Sequence, residues 1–322
     1  MINNPQQLVS VIISAYNVEK YISQAIESVI AQTYSHIEIL IVNDGSTDST
    51  LHIIEGYALK DKRVVVVTQE NQGVSAARNT GFKIAQGDYF CIFDADDIML
   101  PTKIEAQLRF SNSNPSADFI YSKAYYFIDG TNDIYRHDLT TANGSSVHKK
   151  LLQYGNFIYT GTVFFKRSVF DIHSGFDEHF RSAEEFDYWL TLSKKGVSFL
   201  SHNEYLTLCR SRGSGLTSDS ITMYTTLIAV LEKHFAESSF LSKITSRQYI
   251  KAKFLLYVSR IKKSKTAPGE VRTHTSGSAS IGYYVNALFG LAKKIKYSMT
   301  FKKIHDKKLE DFLIRMESIK SL

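Results

Sequence analysis

The chain has 322 residues, enough for one large domain and an extension. Its 43 % hydrophobic and 22 % charged residues are an ordinary balance for a globular protein. Two cysteines, Cys91 and Cys209, without any CxxC or paired Cys/His spacing, exclude a disulfide framework and a structural zinc site, so we expect two reduced, buried thiols.

The charge of the chain is unevenly distributed. From Thr217 onward there are 19 Lys and Arg against 8 Asp and Glu, a net charge of +11, whereas the preceding part carries 19 against 24, or −5. A basic end on an acidic body indicates an anionic partner, such as a membrane face, a phosphorylated lipid or an acidic polymer. The N-terminus lacks a signal-peptide pattern, and no apolar run approaches the roughly 18 residues of a membrane span. We therefore expect a cytoplasmic chain, unless the basic end docks it at the inner face of the cell membrane.

The first part of the chain alternates strand and helix patterns. Short β-branched apolar runs predict strands at 8–15, 37–42, 64–68 and 89–93. Helical stripes predict helices at 18–32, 51–58 and 73–85. This alternation predicts an α/β fold with a mainly parallel sheet flanked by helices. In such sheets, ligands bind beyond the carboxyl ends of the strands.

The second part of the chain is less regular. We predict a helix after Pro101, strands at 119–126 and 162–166, a loop or hairpin at 129–146, and a helix at 183–193. Beyond Thr217 the pattern is helical, with a Ser/Thr/Gly-rich break at 265–280 and a basic amphipathic stretch at 281–303. That stretch has three readings: a membrane-docking helix, a solvated basic face or a dimer contact.

The sequence Asp94-Ala95-Asp96-Asp97 follows a predicted strand. Three carboxylates so close together repel one another, and a divalent cation neutralises that repulsion. Their hard oxygen ligands suit Mg²⁺ or Mn²⁺, either of which can also bridge diphosphate oxygens. The alternative is an acidic turn that caps the next helix.

Two further clusters follow strand ends. Asp44, in the stretch 42–48, is placed to accept hydrogen bonds from a base or a ribose, or simply belongs to a capped turn. Arg78 lies in a helix of small residues, where it would bind a phosphate or carboxylate bidentately, unless it is an ordinary surface arginine.

Four stretches at this spacing together resemble the family 2 glycosyltransferases, whose catalytic domain has the GT-A fold. They are VSVIISAYN at 9–17, IVNDGSTD at 41–48, NQGVSAARN at 71–79 and FDADD at 93–97. The likeness covers about residues 8–215. It implies a GT-A catalytic domain at 1–216, followed by a basic helical region at 217–322 for membrane, acceptor or oligomer contact.

The resemblance also implies roles for individual residues. The nucleotide-sugar site would be formed by Ser14, Tyr16, Glu19, Asp44, Asn71, Arg78, Asp94 and Arg210. Asp96 would hold the Mn²⁺ or Mg²⁺ ion. Ser14 stands where the family usually has proline, and Arg212 stands where it usually has histidine.

The family's catalytic base sits in an acidic pair that opens a helix bearing a tryptophan. The matching stretch here is 183–190, and Glu185 stands where the family normally has aspartate. Glu185 is therefore the expected base, and Asp187 is the alternative. Without the resemblance, the same segment is an ordinary helix whose core face carries Phe186 and Leu190.

The implied activity is inverting transfer of a sugar from a nucleotide-diphosphate donor, by family habit a UDP-sugar. The implied acceptor is a growing bacterial surface glycan on a lipid carrier, such as capsule, O-antigen or exopolysaccharide. One alternative is a sugar nucleotidyltransferase, although residues 14–17 lack its Gly-rich triphosphate loop. The other is a non-catalytic glycan-binding or nucleotide-sugar-binding protein, for which the Glu185 substitution is the argument. The sequence does not indicate a nucleic-acid partner, because aromatic and basic residues do not interleave.

Overall fold

A four-stranded parallel sheet forms the first half of the fold. The computed structural model describes residues 7–137, 141–212, 220–235, 249–250, 252–257, 301–304 and 306–318. The parallel strands are β1 (Val9–Ala15), β2 (Ile37–Asp44), β3 (Val64–Gln69) and β4 (Tyr89–Asp94), in the order β3-β2-β1-β4. Helices α1 (Ile22–Ile30), α2 (Thr50–Lys60) and α3 (Val74–Ile84) connect them.

Strands β1, β2 and β4 are buried at nearly every position, which is why apolar residues dominate them. Along β1, Val11 and Ile13 pack in the cluster with α1 and α2, whereas Ile12 packs in the cluster with Phe82 of α3. Helix α3 lies directly on the strand at Gly81, where a Cβ atom would be 2.4 Å from a methyl carbon of Ile12. A side chain at this position would push the helix off the sheet.

The second half of the sheet mixes both strand directions. Its elements are β5 (Ile98–Met99), α4 (Lys103–Ser113), β6 (Phe119–Ile128), β7 (Ile134–His137), α5 (Ser146–Tyr154), β8 (Val163–Lys166), α6 (Ser168–Ile172), α7 (Glu184–Lys194), β9 (Phe199–Ser211), α8 (Ser220–Phe235), β10 (Phe301–Ile304) and α9 (Lys307–Ser318). In the described residues the sheet continues as β4-β8-β6-β7-β10, and β9 pairs with β5 and β6.

The predicted α/β sheet with flanking helices is confirmed, and the directions of its strands divide at β4. Strand β8 is antiparallel to both β4 and β6, whereas β9 runs parallel to β6. Strands β6 and β7 form a hairpin, in agreement with the loop or hairpin expected at 129–146. Strands joined by a tight turn are antiparallel, whereas two parallel strands need a long crossover connection. The hairpin of β6 and β7 and the longer connection from β6 to β9 therefore give this half of the sheet strands of both directions. Cys91 and Cys209 are both free and buried, as expected.

The C-terminal segment returns to the main sheet. Strand β10 pairs with β7, and α9 buries Leu313 and Met316 in a cluster with Phe127 and Leu208. The side-chain amide of Gln24 in α1 donates to the Met316 carbonyl at 2.7 Å. The described residues 301–304 and 306–318 therefore contact the main sheet and α1.

The predicted break at 265–280 and most of the basic amphipathic stretch, residues 281–300, lie outside the described residues. Within the described ranges, no helix is both long enough and apolar enough to cross a membrane.

The docking of α9 gives a stability prediction. Leu313 is fully buried, so Leu313→Ala removes apolar contacts and leaves a cavity, and we expect it to lower the free energy of unfolding by about 3 kcal/mol. Ile314, its neighbour on the same helix, is 50 % exposed, so Ile314→Ala is the matched control and should change stability little. Denaturant titrations of the two variants measure the difference. Equal effects would mean that α9 does not dock on the sheet.

Candidate active site

A cavity of about 810 Å³ opens at the carboxyl ends of β1, β2 and β4 and extends to the start of α7. Strands β1 and β4 are parallel neighbours in which Ser14 faces Asp94, so their ends reach the same edge of the sheet. Nine of the eleven residues that the sequence assigned to the site line this cavity. They are Ser14, Tyr16, Asp44, Asn71, Arg78, Asp94, Asp96, Glu185 and Arg210. Glu19 and Asp187 do not line it.

Asp44 shapes one wall of the cavity through hydrogen bonds to the next loop. Its carboxylate accepts the backbone N–H groups of Gln72 at 2.9 Å and Gly73 at 2.8 Å, and the side-chain amide of Gln69 at 2.8 Å. Since a carboxylate has about four lone-pair positions, Asp44 can still accept a bond from a ligand. The turn after it needs Gly45, whose φ is +70° and where a Cβ atom would lie 2.8 Å from the Asn71 nitrogen.

Glu19, which the resemblance placed near the nucleotide, does not line the cavity. Its carboxylate accepts the backbone N–H of Ser49 at 2.9 Å, and its own N–H donates to Asp48 at 3.1 Å. Both contacts tie the chain after β1 to the first turn of α2. Glu19 therefore has a structural role at the edge of the site.

The three carboxylates of residues 94–97, at the end of β4, lie partly in the cavity and partly in the protein interior. Asp94 and Asp96 line the cavity, whereas Asp97 is buried and accepts the backbone N–H of Arg210 at 2.8 Å. Burial and then the charge of Asp94 raise the pKa of Asp96 above its ordinary value. Burial likewise raises the pKa of Asp97 well above its ordinary range, followed by the charges of Asp96 and Asp94. The charged form of these two carboxylates is thus disfavoured, first by burial and then by the neighbouring carboxylates.

The two cavity-facing carboxylates fit a divalent cation that arrives with a diphosphate. The described part of the chain contains no cluster of three or more His, Cys, Asp or Glu side chains that could hold a metal by itself. Mg²⁺, however, is commonly held by one or two carboxylates together with substrate phosphates. Asp96, with Asp94 beside it, supplies that smaller set, and a cation there would stabilise the charged form of Asp96, which burial and then the charge of Asp94 disfavour.

Arg78 joins the two sides of the site. It is 4 % exposed and donates to Asp94 at 2.9 Å and to Glu184 at 2.6 Å, with its guanidinium lying over the ring of Phe176. The sequence predicted that Arg78 binds either a phosphate or a carboxylate. In this structure it binds two carboxylates. Arg78 thereby fixes the start of α7 against the end of β4.

Glu185 lies in the first turn of α7 and, like its neighbour Glu184, lines the cavity. Helix α7 begins after Ala183, which has a left-handed backbone with φ of +55°, a conformation that side chains rarely adopt. The carboxylate of Glu185 accepts a hydrogen bond from the Asn156 amide at 3.2 Å and forms no ion pair within the described residues. Burial, and then the neighbouring charge of Glu184, raise the pKa of Glu185 to about 8. A carboxylate with this pKa is suited to take a proton near neutral pH.

Asp187, the alternative base, points into the interior. Residues two apart on a helix lie roughly 200° apart around its axis, so Glu185 and Asp187 face opposite ways. The Asp187 side chain is 1 % exposed and lies 2.9 Å from the Lys233 ammonium and 2.8 Å from Nε2 of His234, both on α8. In this structure Asp187 attaches α8 to α7 and does not line the cavity, whereas Glu185 does.

The Arg210 guanidinium is turned away from the cavity and into the protein. It donates to Asp129 at 2.8 Å, to the backbone carbonyl of Asp96 at 2.8 Å and to the side-chain oxygen of Gln24. Its side chain is fully buried. Arg210 therefore holds the acidic loop in place. Of the two arginines in this segment, Arg212 is the one whose guanidinium reaches the Asp96 carboxylate, at 2.6 Å.

The sequence missed several residues that complete the site. Glu184 lies next to the predicted base, and its partnership with Arg78 spans 106 residues of chain. Asn156 comes from the loop before β8, a segment without a recognisable motif. The segment before α7 also lines the cavity, with Glu178, Phe180, Arg181 and Ser182. Only the acidic pair itself was visible as a signal in the sequence.

Solved structures share this fold, which is the GT-A glycosyltransferase fold. The mannosyltransferase PcManGT of Pyrobaculum calidifontis, solved with GDP-Man and Mn²⁺, matches 98 % of this chain and 87 % of its own, with a TM-score of 0.58 and 16 % identity. S. aureus TarS 1–349, solved with UDP-GlcNAc, matches 80 % of this chain and 73 % of its own, with a TM-score of 0.57 and 19 % identity. At such identities the likeness establishes the fold alone.

Sequence comparison gives the family. The sequence model of the family described as glycosyl transferase family 2 matches residues 10–172. An uncharacterized glycosyltransferase of Rickettsia typhi is 31 % identical over 260 residues, which cover 78 % of this chain and 77 % of that one. The chain therefore belongs to glycosyl transferase family 2.

Proposed function

We propose that this glycosyltransferase uses Mn²⁺ or Mg²⁺ and transfers a sugar, with inversion, from a nucleotide-diphosphate donor. The observation that carries the proposal is that Asp94, Asp96 and Glu185 line one cavity, with Arg78 joining the elements that bear them. The two similar structures were solved with UDP-GlcNAc and with GDP-Man and Mn²⁺, which supports a nucleotide-sugar donor and a metal. A UDP-sugar is the first donor to test.

The cavity matches a donor in size and polarity. Its volume of about 810 Å³ lies within the ~300–1,000 Å³ range of small-molecule and cofactor sites. Tyr16 is 48 % exposed at its wall and offers a ring for a base to stack on, and Asp44 and Asn71 offer polar groups nearby. Asp96 would hold the cation. When bound, the cation would offset the negative charge that grows on the leaving diphosphate.

Glu185 would supply the proton transfer. Its carboxylate takes the proton from the acceptor hydroxyl, whose oxygen then attacks the anomeric carbon from the face opposite the diphosphate. The carbon–oxygen bond to the diphosphate breaks as the new bond forms, so the anomeric configuration inverts. A single base is enough for this route, whereas glycoside hydrolases need two carboxylates.

The raised pKa of Glu185 sets the direction of the pH dependence. The base acts only when it is deprotonated, so kcat/KM for the donor should rise about tenfold per pH unit at low pH and level off above the free-enzyme pKa. That pKa is raised from 4.5 to about 8. Initial rates between about pH 6 and 9 at saturating Mn²⁺ measure the profile. A rate that is already constant at pH 6 would assign the base to another group.

The acceptor and the cellular location belong to the same proposal. We take the acceptor to be a hydroxyl of a growing bacterial surface glycan on a lipid carrier. We place the enzyme in the cytoplasm at the inner face of the membrane. The support is the net charge of +11 beyond residue 216, which would favour an anionic membrane surface.

The decisive experiment is a screen of nucleotide-sugars. The purified chain is incubated with each UDP-, GDP-, CMP- and dTDP-sugar, with Mn²⁺, with Mg²⁺ or with a chelator, and released nucleotide is measured. We expect one donor to release its nucleoside diphosphate only when a metal is present. Formation of pyrophosphate from sugar phosphate and nucleoside triphosphate would favour the nucleotidyltransferase alternative. If a donor binds but its nucleotide is not released, with or without acceptors, the result would favour the alternative of a non-catalytic binding protein.

A further inference from the structure

Arg212 forms an ion pair with Asp96, the carboxylate that would hold the metal ion. One of its guanidinium nitrogens lies 2.6 Å from Oδ2 of Asp96. The guanidinium also lies over the ring of Tyr21, 5.0 Å from its centroid. Since an arginine is always charged, it compensates the negative charge of Asp96 in the free protein. It cannot itself ligate a metal ion, because it offers only N–H donors.

The two cavity-facing carboxylates are thus both paired in the free protein, but their partners differ in freedom. Arg78, the partner of Asp94, is 5 % exposed and is held on its other side by Glu184. The Arg212 side chain is 25 % exposed, and its one ion pair within the described residues is with Asp96. Arg212 is therefore the partner that can move when another cation approaches.

A diphosphate would give Arg212 a new partner. Arginine binds phosphate oxygens bidentately, and a diphosphate chelated to a cation on Asp96 would lie within the same cavity. Arg212 could then leave Asp96 and keep its charge compensated by the donor. Without the diphosphate, a divalent cation that displaces Arg212 leaves two cations facing one carboxylate, which is unfavourable.

We propose that Arg212 is an internal counter-ion that blocks Asp96 in the free enzyme and moves to the donor diphosphate, so that metal and donor bind together. The inference rests on the proposed metal dependence. It predicts weak binding of the metal alone and strong mutual enhancement between the metal and a nucleoside diphosphate. By linkage, each of the two raises the affinity of the other by the same factor.

The test measures Mn²⁺ binding rather than turnover. The affinity of the full chain for Mn²⁺ is titrated by electron paramagnetic resonance, alone and with saturating UDP or GDP. The variants are Arg212→Ala and Asp96→Asn. Arg181→Ala is the charge-matched control, because Arg181 lines the cavity but has no ion pair with Asp96 within the described residues. Thermal melting checks that each variant is folded.

We expect Arg212→Ala to bind Mn²⁺ alone about tenfold more tightly than the wild type, since the competing charged hydrogen bond is gone. It should gain less from UDP or GDP, and it should bind UDP or GDP more weakly without metal. Arg181→Ala should shift Mn²⁺ affinity much less, and Asp96→Asn should bind Mn²⁺ poorly in every condition. Equal Mn²⁺ affinity in the wild type and Arg212→Ala would overturn the role of Arg212 and leave the metal dependence standing. If no variant binds Mn²⁺ even with either nucleotide, both proposals fail.

Discussion

The Glu185→Gln variant is expected to bind the donor normally but to lose most of its transfer activity, with kcat lower by about 100-fold or more. Glutamine has the size of glutamate and can keep the hydrogen bond from Asn156 through its side-chain oxygen. It cannot accept a proton at neutral pH, so the acceptor hydroxyl stays protonated during attack. KM for the donor should change little, because Glu185 acts on the acceptor side of the reaction.

The measurement is a steady-state comparison of donor consumption and product formation, with donor affinity determined separately by calorimetry. Two further variants sharpen it. Glu185→Asp keeps a carboxylate, one methylene shorter, and should retain more activity than Glu185→Gln. Asp187→Asn removes a buried charge that pairs with Lys233 and His234, so it should lower the melting temperature while leaving kcat of the folded enzyme near normal. An active Glu185→Gln enzyme would exclude Glu185 as the base.

The parallel half of the fold was predictable because β-branched and other apolar residues dominate each of its strands. Strands β1 and β4 are buried on both faces, and burial of that kind leaves a signal in any short window of sequence. The ends of these strands then had to meet at one edge of the sheet. Asp44 and Asp96 lie at the ends of two of these strands and line one cavity, whereas Glu185 was assigned to the site through the family resemblance alone.

Strands β9 and β10 were not predictable by the same reasoning. Strand β9 includes the polar run Ser201-His202-Asn203-Glu204, and β10 contains two lysines, so neither shows an apolar pattern. Both are strands because distant partners pair with them: β6 with β9 and β7 with β10. This is tertiary pairing overriding local propensity.

The assignments of individual charged residues depended on long-range contacts. Arg210 and Arg212 are two residues apart and both lie over the ring of Tyr21. What separates them is that Arg210 meets Asp129 and Gln24, which are 81 and 186 residues away in sequence. Such partners are invisible in a single sequence, so the motif could indicate the acidic loop but not the arginine that reaches its cavity side.

Asp96→Ala is expected to abolish metal-stimulated transfer. The substitution removes the carboxylate that would hold the cation. The positive charge that would offset the negative charge on the leaving diphosphate is then missing. Unlike Glu185→Gln, this variant should also bind the donor more weakly when Mn²⁺ is present. Addition of Mn²⁺ should no longer change either donor affinity or the rate of transfer.

The matched control is Asp97→Asn, one residue along the same loop. Asp97 is absent from the cavity wall, and its side chain accepts the backbone N–H of Arg210, a bond that an asparagine oxygen can also accept. Initial rates at increasing Mn²⁺ should therefore show a metal response in Asp97→Asn and none in Asp96→Ala. Near-normal, metal-stimulated turnover by Asp96→Ala would remove Asp96 from the metal site. Because the two carboxylates share one loop but face opposite sides of it, the comparison separates a metal ligand from a residue that only shapes the loop.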